Sequence, residues 1–223
     1  VKRVRTYYSP FGQIDQTYAR RWGHYTYRNL PKIYDAHIIT AEYLIDNIDR
    51  AFDNWQKRPW NRSLSFEDFC EYLLPYRIGD EPLEEWRELY EKKYGYLLDS
   101  IYKGSDVVEA ANLVSRHLQE PVFIYCEDFE LPHIGPRYLF SHRYGSCVDA
   151  ADIVTYAFRA VGIPCMEDTD ARGGHVWNVV RDTTESDVPI WYIASEAVRG
   201  SRDTGGYKRG KVYRSMYGFQ EEK

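Results

Sequence analysis

What this chain lacks narrows it first. No run approaches the roughly 18 consecutive apolar residues that a membrane-crossing helix requires. The opening residues, Val1-Lys2-Arg3-Val4-Arg5-Thr6-Tyr7, have none of the apolar block of a signal peptide. No membrane span is therefore expected, and any targeting segment is expected to have been removed. Cysteine is scarce, with four in 223 residues, Cys70, Cys126, Cys147 and Cys165. They form no C-x-x-C pair and have no histidine at zinc-site spacing, so no metal is expected. If Cys147 must stay free to react, the other three cannot all pair, which argues against a disulfide framework. Gly173-Gly174 lacks the strand, G-x-G-x-x-G and helix setting of a dinucleotide site, and no cofactor is expected. The net charge of −5, with Lys and Arg scattered rather than striped, argues against nucleic acid as a partner. Neither internal repeats nor low-complexity tracts are present.

What is there is enough for a folded core: 43% of the residues are hydrophobic, and 21 are tyrosine, whose apolar ring and polar tip suit half-buried walls. Residues 1–34, rich in Tyr, Arg and Gly, read as an irregular lead-in. Residues 35–120 read as helical. A first helix over about 35–56 carries Leu44, Ile48, Ala51, Phe52 and Trp55 as its apolar face. A second, capped by Ser65, carries Phe66, Phe69, Cys70 and Leu73 and stops at Pro75. A third, capped by Asp80, carries Leu83, Trp86, Tyr90 and Tyr94 and is interrupted by Gly95. A fourth, capped by Ser105, carries Val107, Ala111, Val114 and Leu118. After the short apolar run Val122–Cys126, a long connection leads to Tyr144 and reads equally as one wall of a cleft or a linker between lobes.

The chemistry-bearing stretch follows. Gly145-Ser146-Cys147 opens a short helix whose apolar stripe is Cys147, Ala151, Val154, Phe158 and Val161, with Asp149, Asp152 and Arg159 off that stripe. Gly162 and Pro164 close it. A thiol in the first turn lies near unpaired N–H groups and the positive end of the helix dipole, both of which favour thiolate, whereas Asp149 and Asp152 oppose it. The alternative is that Cys147 merely begins a buried stripe. Downstream, Gly173-Gly174-His175-Val176-Trp177-Asn178 alternates as a strand with His175, Trp177 and Val179 on one face. Asp182 to Asp187 reads as a polar turn, and Val188 to Ala194 as the returning strand.

Gly-Ser-Cys heading a helix, Arg-Ala-Val-Gly-Ile-Pro closing it and Gly-His-Val-Trp-Asn opening a strand together resemble the transglutaminase-like family, over about residues 138–197. The run Leu44–Ile48 through Leu74-Pro75-Tyr76-Arg77 is similar to the helical lead-in of a secreted bacterial branch of that family. The resemblance implies an α+β, papain-like fold, with a helical lobe packed on an antiparallel sheet. It places a transglutaminase-like domain at 35–197 (helical part 35–120, Cys-helix and hairpin core 138–197), followed by a linker or final strand at 198–223 and possible further domains. It also implies a secreted or cell-envelope location and a peptide, glycopeptide or cell-wall type of substrate. Cys147 becomes the nucleophile of a thioester mechanism and His175 its base, in an amide hydrolase more than a cross-linker. The alternative is an inactive domain that serves as a binding or structural module.

The family's third member, an Asp on the second strand, is replaced here by Ser195 and Glu196. Pairing residue 175 with 194 favours Glu196, and pairing it with 195 favours Ser195. His142 and Tyr144 stand just before the cysteine as possible oxyanion helpers.

Overall fold

The computed structural model describes residues 32–120, 123–125, 133–170, 175–182, 190–193 and 212–217. Residues 1–31 of the expected 1–34 lead-in, most of the segment 198–223, and Cys126, Ser195 and Glu196 lie outside them. The described chain is α+β. Helices α1 (Ala41–Lys57), α3 (Arg87–Tyr96), α4 (Val107–Leu118) and α5 (Pro136–His142) pack on α6 (Cys147–Ala160), while α2 (Phe66–Tyr72) lies in a second apolar cluster with Ala51 of α1. Strands β3 (Cys165–Asp170), β4 (Val176–Asp182), β5 (Ile190–Ile193) and β6 (Val212–Arg214) form one sheet in the order β5-β4-β3-β6. Every neighbouring pair in it is antiparallel. A separate, unanticipated two-strand ladder, β1 (Ile124–Tyr125) with β2 (Tyr144–Gly145), is parallel.

Helix boundaries moved where polar side chains found distant partners. The first helix begins at Ala41 with Thr40 as cap, after a separate 3₁₀ turn at Asp35–His37. Its buried face is Asn47, Ala51 and Asn54, while Ile48 and Phe52, expected inside, are exposed. The asparagines are inside because they are bonded: Asn47 donates to the Leu74 carbonyl and accepts from Arg87, and Asn54 donates to Glu91. α2 is capped by Ser65 with Asp68 as expected. α3 starts at Arg87 rather than after Asp80, and Gly95 does not stop it; a π turn, Leu97–Ile101, continues it. Trp86 Nε1 donates to the Tyr76 carbonyl and holds residues 81–86 out of the helix. Asp106, not Ser105, caps α4, accepting from Val108 and Glu109 N–H.

α6 was expected to have one apolar face and is instead the buried axis of the protein, with Asp149, Asp152 and Arg159 all inside. Its C-terminal carbonyls, which lack intrahelical partners, are satisfied from the helical half. Arg87 Nη1 donates to Arg159 O at 3.2 Å, Arg58 Nε to Val161 O at 2.8 Å, and Trp60 Nε1 and Asn61 Nδ2 to Gly162 O at 2.8 and 2.9 Å. Gly162 has φ +80°, and a Cβ there would come within 2.7 Å of Asn54 O, so only glycine fits this turn. One apolar core runs from Trp60 through α3, α4 and α6 to Val180.

The hairpin differs from expectation in length. Val179 pairs with Ile193 and Asp182 with Ile190. Both anticipated registers would have placed residue 179 against 190 or 191. Asp182 is strand, not turn, because β4 continues through Arg181, whose guanidinium bonds Asp68 of α2 and lies over the Tyr72 ring. The connection therefore takes all of 183–189.

Candidate functional site

Cys147 is the first residue of α6, half-buried and unpaired with any other cysteine. Ser146 is the cap, and the Asp149 carboxylate accepts from its N–H at 2.7 Å and its hydroxyl at 2.9 Å. Gly145 lies against Asp149, so any side chain at 145 would collide with that carboxylate. This capping is how Gly-Ser-Cys-Val-Asp starts a helix at the thiol.

The two acids expected to oppose a thiolate are engaged elsewhere. Burial raises the Asp149 carboxyl, and its hydrogen bonds to Ser146 and to the Ile134 backbone act against that rise. Asp152 is fully buried, with Oδ2 2.9 Å from His133 Nδ1. Burial pulls the His133 imidazole down, but the hydrogen bond to Asp152 and the charges of Asp152, Glu81 and Glu167 outweigh it and raise its pKa to about 10. Burial raises both Asp152 and Glu167, and the charge of Glu167 adds to the rise at Asp152; His133 for both, and Thr155 and Arg159 for Glu167, oppose it only in part. The His133 ring is packed against Gly79, so it clamps the 79–81 loop to α6. Residue-level reading missed this pair because His133 lies in what read as featureless connection.

The sheet meets α6 through Asn178, whose Nδ2 donates to Ala151 O at 2.9 Å and to Thr155 Oγ1 at 2.8 Å. Thr155 donates to Glu167 Oε1 at 2.7 Å, and Cys165 lies against the Thr155 carbonyl. β3 leaves the C-terminal end of α6 and β4 returns toward it. Stepping back from Asn178 to Val176 moves about 6.6 Å, the rise of about four helical residues. That step carries β4 toward the N-terminal end of α6, the end that bears Cys147, and His175 precedes it on the same side. Alternation, however, gives the α6 side to Val176, Asn178 and Val180, and the His175 ring lies beside Trp177, with centroids 5.9 Å apart. His175 O accepts from Asp170 N at 3.0 Å, which makes Asp170 of β3 the cross-strand neighbour of the histidine. That carboxylate was not singled out in the sequence, because the third member was sought only on the following strand.

His142 ends α5, exposed and stacked on Tyr138 at 4.1 Å, with Nδ1 3.3 Å from Tyr138 O. Tyr144 is half-buried in β2, three residues before the thiol. Among the described residues, no group of three or more His, Cys, Asp or Glu side chains is placed to hold a metal ion. No described helix is long and apolar enough to cross a membrane. Comparison with protein-family models, with curated proteins and with solved structures gives no match to this chain.

Proposed function

We propose that the protein is a cysteine-type amide hydrolase or acyl transferase of the transglutaminase-like, papain-like kind. The observation that carries this reading is the placement of Cys147 at the head of the buried central helix, with His175 leading a strand of the sheet packed on that helix. The Cys147 thiolate attacks the carbonyl carbon of an amide and His175 takes the thiol proton. The C–N bond then breaks, and the amine leaves with that proton, giving a thioester. Water, deprotonated by His175, adds to the thioester; the C–S bond breaks, releasing the acid and restoring the thiol. The Cys147 N–H at the helix start is the natural donor to the oxyanion, with His142 and Tyr144 the candidate helpers. A peptide or glycopeptide substrate and a secreted or cell-envelope setting accompany this reading.

A second reading, an inactive module that keeps the architecture, is favoured by one observation: strand alternation sets His175 on the Trp177 side rather than the α6 side. The rate of Cys147 alkylation as a function of pH separates the two. A functional pair gives appreciable rate well below the ordinary thiol range, lost in His175→Ala. Superimposable profiles for the two proteins would leave only the inactive module.

A further inference from the structure

Where α1 ends against the π turn Leu97–Ile101, the surface opens into a cleft of about 300 Å³, large enough for a small molecule. Lys57, Arg58 and Lys103 line it together with Asp99, and three positive charges against one negative leave +2 there, in a chain whose net charge is −5. Asp99 engages two of the cations: Oδ2 accepts from Lys57 Nζ at 2.6 Å and Oδ1 from Arg58 Nη1 at 2.7 Å. Lys103 Nζ donates to the Asp99 backbone carbonyl at 2.5 Å and meets no carboxylate among the described residues. Burial raises the Asp99 carboxyl, but the hydrogen bonds and charges of Lys57 and Arg58 outweigh it and hold the group below its ordinary value. The positive field prevails even beside the cleft's own acid.

This charge is built into the fold. Arg58 is only 3% exposed, with Nε held by Val161 O at 2.8 Å, and Trp60, another lining residue, donates to Gly162 O at 2.8 Å. The turn that closes α6 thereby fixes one side of the cleft. The other side is the π turn, where Tyr102 N reaches back five residues to Leu97 O at 2.7 Å, a rare geometry met mostly at functional sites. The Tyr102 hydroxyl lies 2.9 Å from both Asp106 O and the Glu109 carboxylate, which is not itself a lining group. A guanidinium held in place beside two lysines on flexible stems is a donor set suited to phosphate oxygens, and +2 matches the charge of about −1.5 to −2 that a phosphate group carries at neutral pH. We infer that this cleft binds a phosphate dianion, free or as the monoester of a small polar molecule, with Lys57 and Lys103 as its donors and Arg58, anchored on Asp99, supplying the fixed charge behind them.

The test acetylates the lysines of the full chain with an activated acetyl ester in the presence of inorganic phosphate, ribose 5-phosphate or sodium chloride at matched ionic strength, and reads each site by peptide mass spectrometry. At least one of the two phosphates is expected to slow acetylation of Lys57 and Lys103 about threefold or more relative to chloride, as a site mostly occupied by ligand requires, with the other lysines unchanged. Calorimetric titration then separates the sources: tighter binding of the ester assigns the site to a monoester, and equal or tighter binding of inorganic phosphate assigns it to the free ion. Lys103→Gln removes a charge without breaking an ion pair, and it should weaken binding about tenfold while leaving the unfolding temperature of the unliganded protein unchanged. Lys57→Gln should weaken it comparably, since the exposed pair it breaks contributes little to stability. Protection of Lys57 and Lys103 by chloride equal to that by phosphate, protection spread over all lysines, no binding of either phosphate, or affinities indifferent to both substitutions would overturn the assignment.

Discussion

The Asn178 side chain is the only described one on β4 that hydrogen-bonds to α6, reaching the hydroxyl of Thr155 at 2.8 Å and the Ala151 carbonyl at 2.9 Å. Since the Thr155 hydroxyl in turn donates a hydrogen bond to Glu167, the three side chains fix how far along the sheet the cysteine helix sits. Asn178→Leu removes two buried hydrogen bonds without removing their acceptors, and its expected cost in urea unfolding is about 2–3 kcal/mol. Asn178→Asp should cost more, because it brings a carboxylate toward Glu167 in a buried site.

Thiol labelling should follow placement. Burial pushes Cys165 up to about 12, and burial, then Glu67 and Glu71, raise Cys70. In the folded protein iodoacetamide is therefore expected to modify Cys147 first, Cys70 slowly and Cys165 only on unfolding, as read by peptide mass spectrometry. Equal labelling of Cys147 and Cys165 would mark Cys147 as an ordinary packing residue.

Two carboxylates are candidates for orienting His175 in the proposed mechanism: Glu196, which with Ser195 stands where the family carries its Asp, and Asp170, the cross-strand neighbour of the histidine. Replacing the working one by its amide should leave unfolding within about 1 kcal/mol of the parent yet slow Cys147 alkylation at neutral pH by about tenfold or more, since an amide holds the ring without stabilising imidazolium. Asp170→Asn, Glu196→Gln and Ser195→Ala, compared side by side, distinguish the three strands of that argument. A null result for all three would remove the oriented imidazole from the mechanism.

His133 gives the fold a pH signature with a definite sign. Its pKa rises from 6.5 in the unfolded chain to about 10 when it meets Asp152. A group whose folded pKa is raised stabilises fully below its unfolded value, and that stabilisation is lost as pH climbs through the folded one. The stability difference between the parent and His133→Gln should accordingly be largest below about pH 6.5 and shrink as pH rises toward 10. Denaturant midpoints measured for both proteins across that range check it, and a difference that grows with pH would contradict the pairing.

Arg87 is a fully buried cation surrounded by carbonyls rather than carboxylates: Leu73, Leu74, Pro75 and Arg159, with the Asn47 amide oxygen. Burial, reinforced by the neighbouring charge of Arg159, lowers its pKa to about 9. Lysine keeps the charge but has a single nitrogen that cannot span those acceptors, so Arg87→Lys should destabilise by about 2–4 kcal/mol. Thermal unfolding will show it, and a shift too small to measure would mean the carbonyls find water instead.

The parts of this architecture that were legible before any coordinates were those set by local chemistry. Ser65 and Ser146 announce their helices as caps, Gly162 and Pro164 announce the turn after α6, and alternation announces β4. What escaped was set by contacts distant in sequence. Asn47 and Asn54 are inside because Arg87 and Glu91 meet them across about 40 residues, and no periodicity in α1 could reveal that. The same holds for His133, given meaning only by Asp152, and for Asp170, which became relevant once the β3–β4 ladder set it opposite His175. Pattern alone puts Cys147 at a helix start and His175 at a strand start; their mutual orientation depends on side-chain alternation in a ladder whose pairing no pattern fixed.

The turn at Gly162 carries one more consequence, for how the protein is made. Trp60 and Asn61 leave the ribosome about a hundred residues before the carbonyl they will bind. Until position 162 emerges, the donors of Arg58, Trp60 and Asn61 have no protein acceptor at this turn, and the core surface around Trp60 has no α6 to cover it. The N-terminal helices are thus not a finished unit awaiting the rest of the chain. A nascent chain halted before Gly162 should stay protease-sensitive throughout its helical half, and release of that short glycine turn should render the whole resistant together.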